Sequence, residues 1–280
     1  MAGLLLLGLT FWAGLAPAQG DPKRGEYLSK AGGCLGCHTE ARQGAVPYAG
    51  GRALETPFGV FYGPNITPHP QAGIGRWTEA NFVRALREGR RPDGAHYYPA
   101  FPYPSFTRIV DADLRDLWAY LRLLPPSARE SRPHELRWLY RWRLLLGIWK
   151  WLFFTPGAFV AEPQRPGVLN RGAYLVQALG HCGECHTPRN WLGAPKQDRF
   201  LAGVKGDDDG VPNLTPARLK KWSDGELKDF LANGLTPDGD VAGETMGEVI
   251  RNTTSQLAPA DLDAVVAYLR SLPRLPDERK

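Results

Sequence analysis

All four cysteines of this 280-residue chain lie in two copies of one short pattern, Cys34-Leu35-Gly36-Cys37-His38 and Cys182-Gly183-Glu184-Cys185-His186, 148 positions apart. Two thiols at this spacing can form thioether bonds to both vinyl groups of one haem. The histidine that follows directly then reaches the iron from the same side, and Cys-x-x-Cys-His reads as c-type haem attachment. A zinc ribbon would set its two pairs about 15–20 residues apart. A thioredoxin-like site would need a parallel-sheet pattern, and the chain shows no alternating strand pattern. An even cysteine count in an exported chain otherwise suggests disulfides, but here every cysteine falls inside a motif. The reading is two covalently attached haem c groups, held by Cys34, Cys37, Cys182 and Cys185, with His38 and His186 as proximal iron ligands.

The motifs belong to a repeat that covers most of the chain. The same offset of 148 sets Pro47 on Pro195 and Asn65, Thr67 and Pro68 on Asn213, Thr215 and Pro216. An offset of 145 sets Trp77 on Trp222, Gly89 on Gly234 and Pro92-Asp93-Gly94 on Pro237-Asp238-Gly239. Leu114, Leu117, Trp118 and Leu121 form an i, i+3, i+4, i+7 stripe, and Leu262, Val265, Val266 and Leu269 form another. Ser223 and Glu226 make a capping box ahead of a third helix. The expectation is an all-α chain of two tandem cytochrome c-like domains: a leader over 1–18, a first domain over 19–124, a linker over 125–166 and a second domain over 167–280.

The leader has an apolar run ending at Ala16-Pro17-Ala18, a small-x-small pattern suited to signal peptidase. It has no Lys or Arg near Met1. Its run is shorter than the roughly 20 residues that span a bilayer, and so is Leu144 to Phe154, which also contains Lys150. Both point to an exported, periplasmic protein.

Asn65-Ile66-Thr67-Pro68, Tyr98-Pro99-Ala100-Phe101-Pro102-Tyr103, Asn170-Arg171-Gly172-Ala173-Tyr174-Leu175 and the stretch from His181 to Asn190 carry a family resemblance. Both copies resemble the haem modules of the cytochrome c subunits of periplasmic alcohol, aldehyde and related dehydrogenases. The resemblance implies an electron carrier and not an enzyme, with a dehydrogenase as donor and an oxidase or soluble cytochrome as acceptor. Two departures stand out: those subunits usually carry three haems, and they often have Met where Phe101 stands. A catalytic dihaem cytochrome, peroxidase-like, is the rival reading, and a haem-bearing docking subunit is a third. Thiosulfate-oxidising dihaem enzymes use a cysteine as haem ligand, and here the motifs take all four.

Each iron needs a distal partner. Met246, 60 residues after His186, is the one methionine outside the leader and is expected on the second iron, since His/Met ligation is common in cytochromes c. Met246 falls on Phe101 at offset 145, so the first module lacks a thioether. His96, five residues before Phe101, is expected to ligate there instead, with a five-coordinate iron as the alternative. Pro47 and Pro195 are candidates to accept a hydrogen bond from the proximal histidines, weighed equally against ordinary loop prolines. Trp77 and Trp222 read as packing beside the haem.

The linker is aromatic and basic, with Trp138, Tyr140, Trp142, Trp149, Trp151, Phe153 and Phe154 among Arg137, Arg141, Arg143 and Lys150. It reads first as a helix packed between the modules and second as a surface helix on a membrane or a partner. Nucleic acid is excluded as a partner by export. Residues 19–124 carry a net +3, 125–166 a net +4 and 167–280 a net −2. Arg84, Arg87, Arg90 and Arg91 crowd the first module, which suits an acidic partner. Asp207-Asp208-Asp209 reads as a solvated loop. The mature protein should exceed its polypeptide mass by two haems, and both motif peptides should keep haem through acid–acetone extraction. Intact-protein and peptide mass spectrometry check this, and one haem or bound zinc would contradict it.

Overall fold

The computed structural model describes residues 20–206 and 210–277, so the leader and the Asp207–Asp209 loop lie outside the described residues. The first module starts with α1 (Pro22–Ala31), capped by the Asp21 carboxylate on the Lys23 and Arg24 amides and opened by Pro22. The attachment turn α2 (Cys34–His38) follows, then the hairpin β1 (Ala53–Thr56) and β2 (Gly59–Tyr62). Next come α3 (Glu79–Glu88), α4 (Tyr103–Phe106) and α5 (Asp111–Leu121). A capping box of Thr78 and Asn81 starts α3, and left-handed Gly89 ends it. The linker contributes β3 (Glu135–Leu136) and α6 (Leu144–Phe153).

The second module repeats the plan with α7 (Gly167–Tyr174), the attachment turn α8 (Gly183–His186) and α9 (Pro216–Leu219). It ends with α10 (Asp224–Asn233), α11 (Glu244–Asn252) and α12 (Pro259–Ser271). Ser223 and Glu226 form the expected capping box on α10. One apolar core runs through both modules, from Leu28, Leu114 and Leu117 to Val176, Leu179 and Val265.

The fold is helix-rich but not all-α. β1, β2 and β3 form a small antiparallel sheet, with Thr56 opposite Gly59 and Gly59 opposite Leu136. Strands of four, four and two residues, broken by Pro57, are too short to alternate visibly in sequence. Gly59, at φ 123°, admits the third strand, because a Cβ there would lie 2.4 Å from the Glu135 carbonyl oxygen. The linker is therefore stitched into the first module.

The two modules use equivalent crossings. α1 crosses α5 at Gly25, where a Cβ would come 1.9 Å from the Asp116 carbonyl oxygen. α7 crosses α12 at Gly172, where it would come 1.9 Å from that of Ala264. Gly25 and Gly172 are 147 apart, whereas the cysteine motifs are 148 apart. The extra residue is absorbed in one π-helical turn, Leu175–Leu179, just before the second motif.

The modules meet through a reciprocal contact with approximate two-fold symmetry. Tyr27 of the first module donates to Asp261 Oδ2 at 2.5 Å, and Tyr174 of the second donates to Asp113 Oδ2 at 2.7 Å. Each aspartate also pairs with an arginine of its own module, Arg24 with Asp113 and Arg171 with Asp261. Each tyrosine oxygen accepts a backbone N–H from the other module, Tyr27 from Ala258 at 3.1 Å and Tyr174 from Val110 at 3.3 Å. Burial alone would raise the Asp261 pKa, but Arg171 and Tyr27 outweigh it and hold the carboxyl below its ordinary value. Its stabilising contribution is then complete above the ordinary value of 3.8 and is lost as pH falls below that through the folded pKa. Tyr27→Phe should cost about 1–3 kcal/mol at neutral pH. Denaturant titration should find this penalty shrinking on the acid side of that window.

Candidate functional site

α2 and α8 each wind a Cys-x-x-Cys-His motif into little more than one helical turn, which brings two thiols three residues apart onto one side. No disulfide joins the four cysteines. Burial pushes Cys34 up to about 11 and Cys182 up to about 12. Neither is a primed thiolate nucleophile.

The proximal histidines are aimed by backbone carbonyls. His38 Nδ1 donates to Pro64 O at 2.7 Å, and His186 Nδ1 to Pro212 O at 2.7 Å. With the proton on Nδ1, Nε2 presents a lone pair, the arrangement an iron ligand needs. Burial lowers both imidazole pKa values, and these carbonyl contacts oppose it only in part. Both rings are thus held neutral.

Pro47 and Pro195 do not play this part. Pro47 is exposed in its loop, and Pro195 forms an isolated bridge with Arg189. The accepting prolines lie 26 residues after each histidine and obey the same 148-residue repeat, so periodicity could not choose between the two pairs. The signal that could have chosen is the Asn-x-Thr-Pro segment directly after them. Asn65 Oδ1 accepts from the Thr67 amide at 2.9 Å while its Nδ2 donates to the Ser127 and Arg129 carbonyls. Asn213 Oδ1 likewise accepts from the Thr215 amide at 2.7 Å, and its Nδ2 donates to the Leu275 carbonyl. These asparagines fix the loops that carry Pro64 and Pro212.

On the distal side the copies differ. Met246 lies half-buried in the first turn of α11. Phe101, its counterpart, packs among Tyr97, Tyr103 and Phe106 at centroid distances of 5.3, 6.5 and 5.8 Å. His96 pairs with Arg90 in a bridge matching that of Leu235 with Val241. Its ring faces α6, with Nε2 3.4 Å from where a Gly147 Cβ would stand. Its Nδ1 is buried without a hydrogen-bond partner among the described residues. Trp77 and Trp222 pack against the core. Arg87 is held by Asp111 at 2.6 Å and by the Thr107 carbonyl, so it is not a free member of the arginine cluster.

Both sites thus present two thiols and an aimed neutral imidazole, a donor set that fits covalent haem. The cytochrome c family model matches residues 22–125 and 169–273, one match on each module. The chain belongs to the cytochrome c family. It is 43% identical to a "Diheme cytochrome c-type" protein of Cereibacter sphaeroides, over 98% of both chains. It is 42% identical to the fructose dehydrogenase cytochrome subunit of Gluconobacter japonicus, over 89% of this chain and 52% of that one. It is 36% identical to the cytochrome c subunit of a quinone alcohol dehydrogenase of Gluconobacter oxydans, over 99% of this chain and 60% of that one. The cytochrome carries two covalently bound haem c groups.

The two attachment turns of this cytochrome lie close together across the module boundary. Ser105 Oγ donates to Glu184 Oε1 at 2.7 Å, and Arg52 pairs with Glu248 at 2.5 Å beside Gly36. Between the turns sits His181, to which the sequence reading gave no role of its own. It occupies the left-handed region at φ 38°, as does Gly33, its counterpart, at φ 62°. Its half-buried ring stacks edge-on against Phe106 at 5.3 Å. Nε2 lies 3.8 Å from where a Gly33 Cβ would stand. Left-handed backbone costs a non-glycine residue about 1–2 kcal/mol, so His181→Gly would stabilise the protein if the ring did nothing. The expected outcome is a net loss of roughly 1–2 kcal/mol, since an aromatic contact and a filled space disappear together. Equilibrium unfolding of the holoprotein measures the sign.

Proposed function

We propose that this cytochrome is a periplasmic dihaem carrier that takes single electrons from a dehydrogenase and passes them to an oxidase or a soluble cytochrome. The observation that carries this reading is the juxtaposition of the two attachment turns, with Ser105 on Glu184, Arg52 on Glu248 and His181 between them. A chain built to relay electrons needs its two centres held close in one rigid body. The printed names of the relatives, subunits of fructose and quinone alcohol dehydrogenases, support a dehydrogenase as donor. The net +7 of residues 19–166, against −2 for the rest, suits an acidic partner at the first module.

In this reading Cys34 and Cys37, with Cys182 and Cys185, form the thioethers. His38 and His186 are the proximal ligands, oriented by Pro64 and Pro212. When bound, haem supplies the one-electron couple of its iron. The chain's part is to fix ligand identity, hold the imidazoles neutral and pack out water. Met246 is the distal ligand of the second site. At the first site His96 is the proposed distal ligand, because its buried Nδ1 has no hydrogen-bond partner among the described residues and it lies in the loop that carries Phe101. Reaching an iron requires Nε2 to leave Gly147.

Thioether raises the potential of a haem relative to a second imidazole, so the first site should be the lower of the two. Electron paramagnetic resonance of the oxidised protein should show one bis-histidine and one His/Met low-spin signal. His96→Ala should convert the first to high spin, and Met246→Ala should lower the higher of the two potentials. Unchanged signals in His96→Ala, or a high-spin first haem in the native protein, would refute the His96 assignment. Turnover of peroxide by the native protein would refute the carrier reading.

A further inference from the structure

The linker helix α6 is packed inside out. Its one fully buried residue is a cation, Lys150, 8% exposed. The ammonium donates to the carbonyls of Glu88 and Gly89 at the C-terminal end of α3, the negative end of that helix's dipole. It lies 4.9 Å above the Tyr103 ring and 5.3 Å from that of Phe154. Gly147, against His96, and the half-buried Leu146 share this inner side. The opposite side carries Leu144, Ile148 and Trp151 at i, i+4 and i+7, which places them on one stripe. Leu144 is 88% exposed and Trp151 82%. The turn before the helix adds Trp138 and Trp142, both exposed. Firm anchorage on the protein side means that this apolar stripe cannot roll inward.

We infer that α6 and the turn before it form an interfacial helix that lays this cytochrome on an anionic lipid bilayer. Three observations choose lipid as the occupant. Residues 136–161 contain four basic residues and no acidic one; Lys150 and Arg143 are turned inward, Arg143 onto the Tyr98 ring and the His96 carbonyl, which leaves the exposed Arg137 and Arg141 beside the stripe, complementary to anionic headgroups. Tryptophan beside aliphatic residues and arginine is the composition of the membrane–water interface. The side chains also project almost fully clear of the body, a shape that a fluid phase can surround and a flat protein face cannot. At about 1.5 Å per residue, ten residues make about 15 Å of helix, half of a bilayer core, so the helix lies along the surface. No helix among the described residues is long and apolar enough to cross a membrane.

The test is sedimentation of the full-length holoprotein with vesicles of equal parts phosphatidylcholine and phosphatidylglycerol. The native protein should bind, more weakly in high salt and on pure phosphatidylcholine, with a blue shift of tryptophan emission. The triple variant Leu144→Glu, Ile148→Glu, Trp151→Glu should lose affinity by more than about a hundredfold, with haem spectra and unfolding midpoint unchanged because the stripe is mostly exposed. A milder pair, Ile148→Ser with Trp151→Ala, guards against misfolding and should lose about tenfold or more. Comparing proteins with the same N-terminus keeps any contribution of the leader constant. Equal binding by native protein and variants would overturn the inference. So would absence of vesicle binding combined with a native dimer, or a dehydrogenase complex, that the triple variant abolishes. A failure here leaves the carrier reading intact, because neither haem ligation nor reduction potential enters this measurement.

Discussion

The reciprocal Tyr–Asp contact is the interaction on which the rest of the structure depends. Asp113 and Asp261 are buried carboxylates, and each is acceptable there only because an arginine of its own module and a tyrosine of the other complete its hydrogen bonding. Neither module satisfies its own aspartate fully. That mutual dependence fixes α1 against α12 and α7 against α5 in matching orientations, and so decides where the attachment turns end up. Once they face one another, Ser105 reaches Glu184, Arg52 reaches Glu248, and His181 fills the gap between them.

The cysteine motifs, the duplication, the helical character and the Ser223–Glu226 capping box were legible in the sequence because each rests on local spacing. The contacts between modules were not. Tyr27, Asp113, Tyr174 and Asp261 are ordinary residues in helical stretches, and their value appears only when α1 meets the start of α12. The sheet was hidden for a related reason, since its third strand is two residues from the linker and its pairing depends on the absence of a side chain at Gly59. The proximal acceptors were missed because two proline pairs share one periodicity. Only the asparagine lock beside Pro64 and Pro212 tells them apart, and it is closed by hydrogen bonds to residues about 60 positions away.

The linker shows how a single polar residue can reverse the sense of a helix. By composition α6 is an apolar helix fit for a core, and the sequence reading placed it between the modules. Lys150 instead finds the carbonyl end of α3, and Trp149 ties the helix to the second module through the Leu192 carbonyl at 2.9 Å. With those contacts on the inner side, the strongest apolar residues are left facing out. Hydrophobicity alone would predict the opposite orientation.

The π-helical turn ahead of the second motif has a consequence for how such a molecule can diverge. An interface this symmetric is the kind that two identical chains would form about a two-fold axis. In a true homodimer each substitution appears on both sides at once, and a histidine at the position of His181 would meet its own copy where Gly33 now leaves room. Encoding both halves in one chain removes that obligation. A ring can stand opposite a glycine, a methionine opposite a phenylalanine, and dilution cannot part the two halves, because the linker makes their association intramolecular. The duplicated chain keeps the geometry of a dimer while giving each iron its own surroundings.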